Sequence, residues 1–175
     1  MTPVRYTLTA RILHWLMVLL ILGAFALALS FDDMPLSPRK LQYINYHKWL
    51  GITVLWLVAV RLLWRLKHPA PELPAHMPKH EKMLAHLGHI GLYVLMFGVP
   101  IGGWLMSSAK GFPVVYLGLI PLPDLIGKNE ELGKLLKEGH ELFAWGLLLL
   151  AAGHAAAALK HHFIDKDDVL RRMLG

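Results

Sequence analysis

Apolar residues fall into four long blocks separated by short polar segments, and that spacing predicts four helices able to cross a bilayer. The first block covers about residues 12–31, Ile12 to Phe31, without a formal charge. The second covers about 46–66 and carries Arg61 and Arg65 near its end. The third covers about 87–106 and contains Pro100; the fourth covers about 141–160 and is rich in Ala and Leu. Each is about 20 residues, which at 1.5 Å per residue matches roughly 30 Å of hydrocarbon. A segment inside hydrocarbon must satisfy its own backbone, so these spans are helices. Val114 to Ile126 is also apolar but is short and broken by Pro121 and Pro123, so an interfacial or loop segment is expected there. The first block is too long for a signal-peptide core and no small-x-small cleavage site follows it, so it is expected to remain as a span. No internal repeat is visible. The expected fold class is therefore all-α: an integral membrane four-helix bundle, one domain over residues 1–175 with four transmembrane helices.

Composition strengthens this reading. Hydrophobic residues make up 55% of the chain and charged residues 17%, with a mean hydropathy of +0.46, which excludes disorder and points to the bilayer as solvent. There is no cysteine. Disulfides, thiolate-held metals and covalent thioether haem are thereby excluded. The net charge of +6 does not imply nucleic acid here, because basic residues in a membrane protein set its orientation. Four spans put both termini on one side. The termini and the loop between spans 2 and 3 hold eleven of the eighteen Lys and Arg, and the opposite side holds seven. Both termini are therefore expected in the cytoplasm of a bacterial cell, with the chain multi-pass in its inner membrane.

The chemistry lies in the histidines. There are eleven, and ionisable residues within spans are functional candidates. By depth, His14 pairs with His154 at the inner level and His47 with His140 at the outer level. His140 and His154 are 14 residues apart, about 1400° at 100° per residue, hence within roughly 40° of one face and about 21 Å apart along the axis. One helix thus offers an imidazole at each of two levels, and His14 and His47 supply the opposing one from other helices. Two axial imidazoles on either side of a flat macrocycle describe a six-coordinate b-type haem, so two haem b groups with His14/His154 and His47/His140 as iron ligands are expected. Arg61 follows His47 by the same 14 residues and lies at the inner level, where its guanidinium suits a haem propionate. Gly51, Gly146 and Gly153 would let a bulky ring approach the backbone. Trp15, Trp49 and Trp104 read as interfacial belt residues.

A second cluster stands at the inner rim. Lys82, His86 and His89 open span 3, and His161 and His162 follow span 4. His161 lies seven residues after His154 and shares its face within about 20°. Lys82, His89 and His161 suit a quinone, whose carbonyls need hydrogen-bond donors and whose reduction needs protons. His68, His76 and His80, in the Pro-rich loop, read as solvated. No catalytic residue is assigned.

The stretches ILHWLMVLLI, YHKWLGITVLWLVAVRLLWRLKHPAP, LAHLGHIGLYVLM and EGHELFAWGLLLLAAGHAAAALKHHF together resemble the bacterial cytochrome b561 family, small four-helix dihaem membrane cytochromes. The resemblance covers all four spans. It implies haem ligands on the first, second and fourth helices, which on this sequence are His14, His47, His140 and His154. It extends to the family's superoxide oxidases, which pass electrons from periplasmic superoxide to ubiquinone near the cytoplasmic-side haem. That implies an oxidoreductase with ubiquinone as acceptor at a pocket with His89, His161 and Lys82. Superoxide, or another one-electron donor, would be drawn to the outer side by Lys40, Lys48 and Lys110. The competing readings are a cytochrome b anchor subunit docked to a partner dehydrogenase or hydrogenase, and a proton or metal-ion transporter. The transporter would need a buried carboxylate relay that the spans lack.

Overall fold

The computed structural model describes residues 5–175, and its backbone is mainly helical. Four helices long and apolar enough to cross a membrane follow in order: α1 (Leu8–Asp32), α2 (Pro38–Lys67), α3 (Lys79–Ala109) and α4 (Glu130–Phe163). A two-residue antiparallel pair, β1 (Val115–Tyr116) and β2 (Ile120–Pro121), lies between α3 and α4, and a short helix α5 (Arg171–Leu174) ends the chain. All four expected spans are present, as an all-α membrane bundle.

Each helix is longer than its apolar block, and in α1, α2 and α4 a side-chain cap rather than hydropathy sets the start. Thr7 caps α1 by accepting from the Ala10 N–H, and Ser37 caps α2 by accepting from that of Lys40, with Pro38 in the first turn. Asn129 caps α4 about twelve residues before the apolar block begins, and Glu130 and Glu131 follow in its first turn, where acidic groups favour the helix dipole. At 34 residues, α4 is roughly 51 Å long, well beyond the hydrocarbon layer. Pro100 lies within α3 and the helix continues through it.

The fifth apolar stretch becomes the β-hairpin. Leu117 and Gly118 take positive φ, 53° and 71°, and turn the chain back on itself. The hairpin is fastened to α2: Trp49 Nε1 donates to the Val115 carbonyl at 2.7 Å, and Thr53 Oγ1 and Tyr116 Oη are 3.0 Å apart.

The helices pack as two antiparallel pairs, α1 with α2 and α3 with α4, joined more lightly through α2 and α3. Backbones of α1 and α4, and of α2 and α4, scarcely meet. Large apolar side chains face outward along every span, including Leu19, Trp56, Val94 and Leu149. In the apolar window of α4 only 6% of residues are buried within the bundle. Such a surface belongs in lipid.

Candidate functional site

The gaps beside α4 are bridged by imidazoles. On the side of the β-hairpin, the rings of His47 (α2) and His140 (α4) lie with centroids 6.1 Å apart. On the side of the termini, those of His14 (α1) and His154 (α4) lie 6.3 Å apart. The pairing by depth expected from sequence is the one the helices make, and it joins the helix pairs whose backbones stand apart.

Each imidazole of the β-hairpin side is fixed by a neighbouring helix. His47 Nδ1 lies 2.9 Å from the Ala24 carbonyl of α1, and His140 Nδ1 lies 3.0 Å from the Val99 carbonyl of α3. A carbonyl only accepts, so both Nδ1 atoms carry hydrogen and both Nε2 atoms keep a lone pair. His140 is gripped further by Gly103, one turn after Val99. A Cβ there would stand 3.0 Å from His140 Cε1. Any larger residue at 103 would press on the ring, which would have to give way slightly. At Gly51, Gly146 and Gly153, by contrast, a Cβ would meet nothing within 4 Å.

These dimensions can be tested against a haem iron. A metal–imidazole bond is about 2 Å, and a ring nitrogen lies roughly 1.1 Å from its centroid, so two imidazoles sharing one ion have centroids about 6.2 Å apart. The spacings of 6.1 and 6.3 Å agree with that figure at both levels. The donor set is neutral nitrogen without thiolate, and open space adjoins the glycines. The residues fit two flat, doubly ligated macrocycles.

Arg61 stands beside the pair of the terminus side. Its Nη1 donates to the Ala10 carbonyl at 2.8 Å, one helical turn before His14. His89 also joins that pair, its ring 5.2 Å from His154. His161 and Lys82 are engaged elsewhere. His161 Nδ1 lies 2.7 Å from Asp167 Oδ2 and 3.1 Å from Asp165 Oδ2, and Lys82 Nζ reaches back to the Ala75 carbonyl at 3.4 Å. On the opposite side, Lys40 Nζ donates to the Met34 carbonyl at 2.7 Å and Lys48 Nζ to that of Phe112 at 3.1 Å, so both tie down loops. Sequence reasoning missed Gly103, the Ala24 and Val99 carbonyls and Asp167. The signal for Gly103 was its place at the depth of His140 in a run of small residues; the carbonyls carry none.

A four-helix membrane bundle with facing imidazoles at two levels is the architecture of the small membrane cytochromes. The chain belongs to the prokaryotic cytochrome b561 family, whose model matches residues 5–175. It is 36% identical over 176 residues to cytochrome b561 homolog 2 of Escherichia coli (strain K12), covering 99% of this chain and 93% of the relative. It is 33% identical to a probable superoxide oxidase CybB of Yersinia pestis, covering 93% and 91%, and 31% identical to cytochrome b561 homolog 1 of Escherichia coli (strain K12), covering 97% of each. Cytochromes of this family bind b-type haem. The family and the four apolar helices make this a bacterial integral membrane protein.

Proposed function

We propose that the protein is a dihaem cytochrome of the bacterial inner membrane that carries electrons from periplasmic superoxide, or another one-electron donor, to ubiquinone on the cytoplasmic side. The observation that carries this reading is the two imidazole pairs, at 6.1 and 6.3 Å, in a chain of a b-type cytochrome family. His47 and His140 would hold one haem, and His14 and His154 the other. When bound, the haems supply one-electron transfer between the two faces.

The protein's own residues set the conditions. Nδ1–H donation to Ala24 and Val99 fixes His47 and His140 in the tautomer that leaves Nε2 for iron. Arg61, anchored on Ala10, offers a cation to a propionate. His89, beside His154, offers a donor to a quinone carbonyl. His161, tied to Asp165 and Asp167, belongs with Lys82 to the rim that supplies protons. Two superoxide anions, one quinone and two protons give two dioxygen molecules and one quinol. Similarity to a probable superoxide oxidase supports the donor, and the excess of Lys and Arg on the side of the termini supports the orientation.

The test is a reduced-minus-oxidised optical spectrum with haem quantitation, followed by superoxide-driven quinol formation. Two b haems per chain are expected. His47→Ala or His140→Ala should cost the haem of the β-hairpin side and spare the other, and His14→Ala or His154→Ala should do the reverse. Loss of only the haem on the terminus side from His47→Ala contradicts the pairing.

A second reading, an anchor subunit for a partner dehydrogenase or hydrogenase, is favoured by one observation. Phe112, Leu117, Leu119 and Ile120 are all exposed on the segment between α3 and α4. Co-purification of a second polypeptide, lost when Leu119 is made polar, would support it.

A further inference from the structure

We infer that the β-hairpin between α3 and α4 is a lipid-binding element: its apolar tip, Leu117 to Ile120, enters the membrane leaflet on its side at the boundary of phospholipid headgroups and chains. The inference does not depend on the haems. Residues 111–123 carry no formal charge, and the Tyr116 hydroxyl is their one polar side-chain group. The segment is fastened along its inward side. Lys48 Nζ and Ser107 Oγ donate to the Phe112 carbonyl, Trp49 Nε1 to that of Val115 and Trp104 Nε1 to that of Pro123. Thr53 Oγ1 donates to the Trp49 carbonyl at 2.8 Å, so the Tyr116 hydroxyl is the donor in its own bond to Thr53. Within the hairpin, the N–H groups of Gly118, Leu119 and Leu122 donate to the carbonyls of Val115, Tyr116 and Val114. What is left turned outward is apolar: Leu117 is 52% exposed, Leu119 81% and Ile120 54%.

Three observations select lipid as the partner. The first is depth. Trp49 and Thr53, which hold the hairpin, lie inside the apolar block of α2 that begins at about residue 46. At 1.5 Å per residue they stand roughly 5 and 10 Å within it. Tryptophan and tyrosine at that level belong to the belt where headgroups meet chains. The second is the face of α2 that the hairpin covers. Trp49 and Trp56 are seven residues apart, as are Thr53 and Val60, so each couple shares a face within about 20°. Trp56 is 65% exposed and Val60 49%, both inside the span. The hairpin thus lies over a lipid-facing stripe and continues it toward the surface. The third is the backbone. A segment tolerates lipid only where its backbone groups are paired, and the bonds above pair those of the turn. A surface built for a protein partner sets a polar rim around its apolar centre, and residues 111–123 supply no charged group for one.

The chain has no cysteine, so single introduced thiols report without background. Leu119→Cys is compared with Val94→Cys, a lipid-facing position within α3, and with Lys128→Cys, whose native side chain is 65% exposed beyond the spans. Each full-length, haem-loaded variant is placed in nanodiscs holding one chain and phosphatidylcholine only, then treated with a water-soluble maleimide. The thiol of Leu119→Cys should react almost as slowly as that of Val94→Cys, far more slowly than that of Lys128→Cys, and completely after denaturation. In parallel, wild-type protein in phosphatidylcholine bearing a diazirine on its acyl chain should be photolabelled within residues 112–120. Reaction of Leu119→Cys at the rate of Lys128→Cys, or an unlabelled hairpin, would overturn the inference. Protection of Leu119→Cys in native membranes but not in the nanodiscs would overturn it too, because a partner protein or a second copy would then be the cover.

Discussion

His140 is held from three directions: by its own helix, by the Val99 carbonyl and by the absent side chain of Gly103. The last of these makes a sharp prediction. In Gly103→Ala the new methyl carbon would lie 3.0 Å from Cε1 and 3.2 Å from Nδ1 of the ring. The imidazole must then tilt, and its bond to Val99 weakens. Supports of this kind typically alter metal affinity by about 10–100-fold. Gly103→Ala should therefore release the haem of the β-hairpin side at least about tenfold more readily, while the other haem keeps its spectrum. Gly102→Ala, where a Cβ meets nothing within 4 Å, should behave as wild type. Haem-transfer kinetics to an apo-globin acceptor would measure both. The four histidines proposed as ligands were read from their depth within the spans, and the shared face of His140 and His154 from their 14-residue interval, which has the same meaning in any helix. Gly103 was not, because its role depends on how α3 is rotated against α4, and no periodicity within one chain segment records that rotation. The nearness of His89 to His154 was legible from its depth at the inner start of span 3.

At the level of elements, hydropathy located the four spans but cut their ends short. The missing turns are polar and lie outside the hydrocarbon, so they leave no apolar signal; their signatures are the caps Ser37-Pro38 and Asn129-Glu130. The tryptophans read from sequence as a belt prove to fasten connecting segments as well. Trp15, Trp49 and Trp104 donate to the carbonyls of Met173, Val115 and Pro123. The C-terminal segment is fastened most densely. Tyr6 N–H donates to the Arg172 carbonyl, Arg172 Nη1 to that of Glu72, and Arg172 Nη2 pairs with Asp168 at 2.8 Å. The hydrogen bond from Arg172 holds the Asp168 carboxyl below its ordinary 3.8, and that from Lys160 does the same for Asp165. A carboxyl whose folded value is depressed adds stability above its unfolded value, and that contribution is lost as pH falls through the folded one. Acidification from about pH 4 downward should therefore loosen residues 165–175 before the spans. Hydrogen exchange across that range would show rising exchange in the last eleven residues with the centres of α1 to α4 still protected. Equal protection at pH 5 and at pH 2 would contradict it.

The whole molecule is two helical pairs with space along α4. Because α4 scarcely meets α1 or α2, much of the contact across those gaps would come from the haems proposed between the histidines. A ligand present at a thousand times its Kd stabilises the folded state by about 4 kcal/mol. Protein made without haem, or with both His140 and His154 replaced by Ala, should therefore unfold at a clearly lower temperature in detergent than the loaded protein, as followed by light scattering. An unchanged transition would mean that the helices hold together unaided. Orientation is tested at the same scale: a C-terminal reporter should be active in the cytoplasm, and activity confined to the periplasm would exchange the sides assigned to donor and quinone. The division into two pairs also bears on how the protein is made. Each pair is a contiguous piece of chain, so each can enter the membrane as a unit while synthesis continues. In the proposed arrangement α4 completes both imidazole pairs, and of the four spans it is the last to be made. If these pairs hold haem as proposed, its capture waits until α4 has been made. In cells starved of haem, chains should gather as unclosed pairs.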